Sequence, residues 1–257
     1  MPGAAPMIAV EHVSQRFGTG PVHTVALHDI SLTISVGEFV SLIGPSGCGK
    51  STLLRIMGDL IPPTEGEVHV NGKTPREARL ARDYGIVFQS PVLYDWRTVR
   101  RNVELPLEVM GFPRHEWTAR ADRMLRLVGL EQFRAHYPWQ LSGGMQQRVS
   151  IARALAFSPP ILLMDEPFGA LDELTRERMN QELLAIWAQT HNTVVFVTHS
   201  IPEAVFLSSR VVALTPRPGR IERIVEIDLP YPRTAATRAS PRFFALVTQV
   251  RSALREA

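Results

Sequence analysis

Nine residues constrain the fold of this chain more than any others: Gly44-Pro45-Ser46-Gly47-Cys48-Gly49-Lys50-Ser51-Thr52. A short apolar run, Phe39–Ile43, leads into them, and Ser51–Met57 leaves them with helical character. The pattern G-x-x-x-x-G-K-[ST] between a strand and a helix is a phosphate cradle. Its glycines let the backbone curl so that successive N–H groups converge on phosphate oxygens. The new helix adds the positive end of its dipole. Lys50 is then placed to reach the β- and γ-phosphates and Ser51 to hold Mg²⁺. Cys48, inside the cradle beside Lys50, is expected to be a reactive thiol that a bound nucleotide protects.

The second constraint is Ile161-Leu162-Leu163-Met164-Asp165-Glu166. Four apolar residues running straight into two acids mark the end of a buried parallel strand, and α/β folds place their sites at such ends. Asp165 is placed to hold Mg²⁺ through water and Glu166 to polarise an attacking water. The two motifs point to Mg²⁺-dependent nucleotide hydrolysis without choosing among the families that share the phosphate loop. With 257 residues, 45% apolar and 21% charged, the chain suits one large domain with a real core and is too apolar to be disordered. No run approaches the ~20 apolar residues of a membrane-spanning helix, so a soluble protein is expected. The first ten residues lack the basic region and apolar core of a secretory signal. The single cysteine cannot form an internal disulfide, which suits a reducing cytoplasm.

Alternation predicts strands over Ile8–Val13 and Val25–Val36 before the strand Phe39–Ile43, with further strands at Val68–Val70 and Gly85–Phe88. The middle reads as helices: Thr98–Gly111, with Pro106 expected to kink or interrupt it, Glu116–Val128, stopped by Gly129, and Gly144–Phe157. Strands and helices then alternate. Ser200 and Glu203 are spaced as a capping box for one of these helices, and Arg220–Leu229 reads as a last strand. Phe243, Leu246, Val247, Val250 and Leu254 form a helical stripe near the end. The expected fold class is α/β: a P-loop NTPase core with a mostly parallel sheet, an antiparallel β subdomain and a helical subdomain.

A third motif, Leu141-Ser142-Gly143-Gly144-Met145-Gln146-Gln147-Arg148, lies 24 residues before Glu166 and opens a helix. It resembles the signature sequence of ABC-transporter ATPases. Its hydroxyl, glycines and helix N-terminus form a second anion-binding nest. The resemblance implies that Ser142, Gly143 and Gly144 serve the ATP of a second copy of the chain, in a head-to-tail dimer around two nucleotides. It further implies that Gln89 contacts Mg²⁺ and the lytic water, that Gly169-Ala170-Leu171-Asp172 crosses the dimer, that His199 touches the γ-phosphate and that Phe17 stacks on adenine. Glu166, His199, Gln89 and Lys50 are the expected catalytic set. Phe17, Gly44 to Thr52 and Ser142 to Gly144 are the expected ATP contacts, with Ser51, Gln89 and Asp165 on Mg²⁺. The expected division is one ATPase domain: residues 1–90 and 158–215 as the core with the antiparallel sheet, 91–157 as the helical part with the signature, and 216–257 as a basic tail with a short helix.

The phrases Met164–Asp172 and Thr215–Ile221, with the stretch Ser90–Val103 around Trp96, are similar to the nitrate/sulfonate/taurine importer group. That group implies a separate integral membrane permease met by the loop after Gln89 and, indirectly, an external substrate-binding protein. It also implies a peripheral location on the cytoplasmic face of the inner membrane. Tyr94-Asp95, Met145, Ser200 and Pro202 depart from the group's common residues, and none of these departures removes a catalytic group. The alternatives are an exporter ATPase, a pyrimidine-precursor importer, a soluble ABC ATPase working on DNA or translation, and a non-hydrolysing scaffold. No Lys/Arg run resembles a nucleic-acid footprint, so no nucleic-acid partner is expected. Residues 217–257 hold eight arginines against four acids, +4, while the rest of the chain is −1. An anionic membrane surface would suit that tail.

Overall fold

The uninterrupted apolar runs of the sequence become the inner strands of one sheet, buried on both faces. The computed structural model describes residues 5–18 and 23–255. The non-secretory reading of the first ten residues therefore falls partly on 1–4, outside the described residues. The chain begins with β1 (Ile8–Phe17), β2 (Thr24–Ile34), β3 (Phe39–Ile43), α1 (Lys50–Met57), β4 (Glu65–Val70), α2 (Pro75–Ala81) and β5 (Tyr84–Val87). Three helices follow: α3 (Val99–Val109), α4 (Arg114–Leu127) and α5 (Gly143–Leu155). The last third runs β6 (Ile161–Asp165), α6 (Glu173–Thr190), β7 (Thr193–Val197), α7 (Ile201–Leu207), β8 (Arg210–Leu214), β9 (Ile221–Glu226), α8 (Ala235–Arg238) and α9 (Pro241–Arg255).

The large sheet has the order β5-β6-β7-β3-β8-β9. All its pairings are parallel except β8 with β9. A second sheet, β2-β1-β4, is antiparallel. Alternate side chains of the inner strands enter two separate cores. Phe39, Ile43, Met164, Phe196 and Ala213 face the helices α3–α7 and α9. Val40, Leu42, Leu163, Val197 and Val212 face α1 and the antiparallel sheet. Covering both faces is what an all-apolar parallel strand requires. The expected α/β class is therefore the observed one.

Helix α3 starts at Thr98, whose hydroxyl accepts from the Arg101 N–H at 3.4 Å, and it runs through Pro106 to Val109. The expected interruption does not occur; the helix forgoes only the one bond that a proline nitrogen cannot donate. The stretch from Ser90 to Thr98 has no helix or strand of its own, and fully buried Asn102 on α3 organises it. Its Oδ1 accepts from the Tyr94 N–H at 2.8 Å, and its Nδ2 donates to the carbonyls of Tyr94, Arg97 and Thr98 at 3.0–3.1 Å. From the other side, Arg153 of α5 donates to the carbonyls of Pro91 and Val92 at 2.8 and 2.7 Å.

Residues 216–255 are less of a tail than their charge suggested. They add β9 to the large sheet and bury Phe243, Leu246, Val247 and Val250 of α9 in the core. Buried Arg233 donates to the carbonyls of Val205, Phe206 and Ser208 at 2.9–3.0 Å, closing the end of α7. Arg238 lies 3.8 Å above the Phe206 ring, and Arg242 pairs in a fork with Asp228 at 2.9 and 2.7 Å. Arg233 and Arg238 are thus engaged in folding rather than presented to a surface, while the Arg242–Asp228 pair is exposed. Among the described residues no helix is long and apolar enough to cross a membrane.

Replacing Asn102 by Ala removes four hydrogen bonds to partly buried peptide groups of the Tyr94–Thr98 loop. It should lower stability by about 2–3 kcal/mol, read as a lower midpoint in urea unfolding.

Candidate functional site

The register of the parallel strands brings the chemical groups to one edge. Leu42 on β3 pairs with Val197 on β7, which pairs with Asp165 on β6. The chain leaves these strands within two residues as Gly44, His199 and Glu166. On the far side Val87 of β5 pairs with Met164, so Gln89 leaves at the level of Glu166. Hydrogen bonds continue the ladder past the strand ends: the Thr198 N–H donates to the Leu42 carbonyl at 3.2 Å and the Glu166 N–H to the Val197 carbonyl at 3.0 Å. Glu166 then takes φ 45°. This left-handed turn is sparsely populated for a residue with a Cβ and is common where side chains are held for chemistry.

The Gly-rich loop forms the floor of the site. Gly49 adopts φ 100° at the N-cap of α1, and Gly47 φ 77°. A side chain on Gly49 would meet Leu27 Cδ2 at 2.5 Å and the Ala26 carbonyl at 2.9 Å. Glycine is therefore required there both by conformation and by the close approach of β2. The buried Lys50 ammonium donates to the carbonyls of Gly44 and Pro45 at 2.8 and 3.1 Å, which holds it across the loop. Ser51 Oγ donates to Asp165 Oδ1 at 2.6 Å, joining the start of α1 to the end of β6. His199 Nδ1 lies 3.3 Å from Glu166 Oε2. Gly169 packs so closely that a Cβ there would sit 3.3 Å from Gln89 Nε2 and 3.5 Å from Glu166 Oε2. The amide, both acids, the imidazole and the lysine thus converge on one edge.

A cleft of about 290 Å³ opens over the loop, lined by Phe17, Thr24, Ala26, Ser46, Gly47, Gly49, Lys50, Ser51, Thr52, Glu166 and Arg217. Phe17 is half exposed at the end of β1 and paired with Thr24. A larger groove of about 810 Å³, lined among others by Met124, Pro160, His191 and Thr193, lies at the opposite ends of β6 and β7 and contains none of the motif residues. The chemistry belongs to the smaller cleft.

Two expectations need correction. Cys48 is buried, with Lys50 Nζ 3.8 Å from its sulfur. A Cβ on Gly44 would lie 2.7 Å from the same sulfur. The thiol points under the loop rather than into the cleft, so it is a packing group and not the accessible thiol expected. The capping box of α7 is only half formed. Ser200 Oγ accepts from the Glu203 N–H at 3.4 Å. The Glu203 carboxyl instead turns inward to accept from Thr198, whose hydroxyl also accepts from the Ser200 N–H at 3.0 Å. Burial pushes the Glu203 carboxyl above its ordinary value, and the Thr198 bond only partly opposes this.

The signature residues stand apart from the cleft. Ser142 caps α5 by accepting from the Met145 N–H at 3.3 Å. Ser142 and Gly143 are exposed, while Gly144 is buried against Thr175 and Met179 of α6. Leu171 packs beside Gly143, and Asp172 caps α6 through the Thr175 N–H at 3.0 Å. That bond holds the Asp172 carboxyl below its usual range. Gln147 of α5 donates to the Phe88 carbonyl at 3.0 Å, which ties this helix to the Gln89 loop. Sequence reasoning missed three residues lining the cleft, Thr24, Ala26 and the one charged group among them, Arg217. The only signal for Arg217 was the phrase Thr215–Ile221, read for kinship and not for position.

A phosphate cradle at the carboxyl edge of a parallel sheet, with a hydroxyl–carboxylate pair beside it, defines a P-loop nucleoside triphosphatase. Comparison with known proteins makes this more specific. The ABC transporter family model matches residues 27–169. A taurine import ATP-binding protein of Rhizobium johnstonii is 45% identical over 256 residues, 96% of each chain. An uncharacterized ABC transporter ATP-binding protein of Methanocaldococcus jannaschii is 51% identical over 226 residues, 88% of this chain and 84% of that one. A dimeric ATP-binding cassette in a post-hydrolysis state, bound to ADP and Pi, has a TM-score of 0.75 at 40% identity, covering 87% of this chain and all of that one. The chain belongs to the ABC transporter family. It is an ATP-binding cassette whose ATP hydrolysis is coupled to transport.

Replacing Glu203 by Gln tests its buried charge. A carboxyl whose folded value lies above its unfolded one stabilises the fold fully below the unfolded value, and that contribution is lost as pH rises through the folded value. The Gln variant should therefore gain melting temperature relative to the native chain at pH 8 and lose that gain near pH 5, in melts at both pH values.

Proposed function

We propose that this chain is the nucleotide-binding subunit of an importer, dimerising head to tail around two MgATP to drive a separate membrane permease. One observation carries the reading: the chain presents two anion nests that do not share a cleft, one at Gly47–Thr52 and one at Ser142–Gly144. One nucleotide needs one cradle, so the second nest is free to face a second copy's ATP. The dimeric state of the matched cassette supports this arrangement.

The cradle residues Gly44, Pro45, Ser46, Gly47, Cys48, Gly49, Lys50, Ser51 and Thr52 hold the phosphates, Cys48 through its backbone. Phe17 stacks on adenine. The donors fit Mg²⁺: Ser51 and Asp165 already converge as a hydroxyl–carboxylate oxygen pair, and Gln89 adds an amide oxygen. Mg²⁺ is commonly held by one or two protein oxygens plus substrate phosphates. When bound, it neutralises charge developing on the phosphates. Glu166 acts as general base toward water, and Lys50 and His199 stabilise the γ-phosphate.

Residues 1–90 and 158–215 then act as the hydrolytic core, 91–157 as the signature-bearing part and 216–257 as a C-terminal segment that braces it. Stacked Tyr94 and Trp96, with ring centroids 4.7 Å apart and Trp96 74% exposed, give the loop after Gln89 an apolar surface for the permease. In this reading the subunit works on the cytoplasmic face of the inner membrane, with an external binding protein engaged indirectly. The substrate class is a small anion such as nitrate, a sulfonate or taurine, in keeping with the taurine import relatives.

Glu166→Gln should lower MgATP turnover by at least ~10² and hold the chain as an ATP-bound dimer in gel filtration. Turnover at the native rate would remove Glu166 from the base role.

A further inference from the structure

Residues 215–220 (Thr-Pro-Arg-Pro-Gly-Arg) form a strap laid across the Gly-rich loop. The turn is closed on itself: the Thr215 N–H donates to the Arg220 carbonyl at 3.0 Å, and the Thr215 hydroxyl accepts from the Arg220 N–H at 2.9 Å. Its tip is bonded to β2, with the Gly219 N–H donating to the Ala26 carbonyl at 3.0 Å and the His28 N–H to the Gly219 carbonyl at 2.9 Å. Gly219 is buried, and any Cβ on it would collide with the Cys48 carbonyl in the middle of the cradle. The strap is therefore seated on the loop by a contact that only glycine permits.

This seating points Arg217 at the cleft. Its side chain is exposed. Its Nε donates to the Gly47 carbonyl at 3.3 Å, and a Cβ on Gly47 would lie 3.1 Å from Nη2. Among the described residues no carboxylate pairs with it. With Lys50 it supplies the two cations of the cleft, and Lys50 is already occupied by loop carbonyls. A guanidinium with one long carbonyl bond and most of its donors unclaimed is suited to planar, multidentate recognition of phosphate.

We propose that Arg217 is a nucleotide-binding residue: a guanidinium delivered by the 215–220 strap to the phosphate chain of the nucleotide in the Gly47–Thr52 cradle. The proposal rests on the MgATP reading of that cleft. Gly219 acts as its positioning residue, since a methyl there lifts the strap.

The test is titration calorimetry of the full chain with MgATP at low and high salt, for the native protein, Arg217→Gln, Arg217→Lys and Gly219→Ala, with melting temperatures alongside. Native protein that fails to bind MgATP would sink the MgATP reading itself. If the native protein binds, Arg217→Gln should bind about tenfold more weakly at low salt. The deficit should shrink at high salt, where the lost charge contact is screened. Arg217→Lys should recover part of the affinity, and Gly219→Ala should resemble Arg217→Gln. Native affinity in Arg217→Gln would overturn the proposal. So would an affinity loss that is independent of salt and tracks a lowered melting temperature, because the arginine would then only brace the loop.

Discussion

The site depends on a single register. Leu42, Val197 and Asp165 lie side by side on three parallel strands. Within two residues of that line the backbone must leave the sheet, and the residues it leaves through are the start of the phosphate loop, the imidazole and the acid. A slip by one residue would turn every side chain to the other face. It would separate Ser51 from Asp165 and expose a strand whose two faces feed two different cores. Packing and chemistry are therefore set by the same alignment: Met164 and Phe196 cannot stay in one core, nor Leu163 and Val197 in the other, unless the acids reach the cradle.

The second half of the design is separation. α5 places its exposed N-terminus, capped by Ser142, on a helical unit that touches the cleft only indirectly. Gln147 reaches Phe88, Arg153 reaches Pro91 and Val92, and Asn102 holds Tyr94 through Thr98. These bonds connect the signature helix to the segment that begins at Gln89. In the proposed reading this segment senses the nucleotide at one end and presents Tyr94 and Trp96 to the permease at the other. Motion of the helical unit would thus be felt in both places through polar contacts of defined length.

The sheet core, the phosphate loop, the acid-bearing strand end at Asp165-Glu166, α5 and the α/β class were legible in the sequence. Each is encoded locally, by an apolar run or by glycines and hydroxyls at fixed spacing. What escaped was decided by contacts between distant segments. Pro106 reads as a helix breaker, but α3 continues through it. Cys48 sits in a reactive-looking neighbourhood, yet it is buried, with Gly44 packed so closely that a Cβ there would lie 2.7 Å from its sulfur. Glu203 has the spacing of a cap but turns to Thr198. Arg217 and Arg233 count equally toward a basic tail by composition, whereas one overlies the cradle and the other closes α7. A one-dimensional charge count cannot separate the two, because their partners lie 170 and about 25 residues away.

The central claim is that each chain supplies half of two shared sites, and it is tested most directly by mixing two inactive variants. Lys50→Ala spoils a chain's own cradle, and Ser142→Ala spoils the nest it offers to its partner. If the nests act across a dimer, a mixed pair contains one site in which both the lysine and the serine are native. Phosphate release from the mixture should then exceed that of either variant alone. Activity in the mixture no greater than that of the separate variants would contradict the account and return the second nest to its own chain.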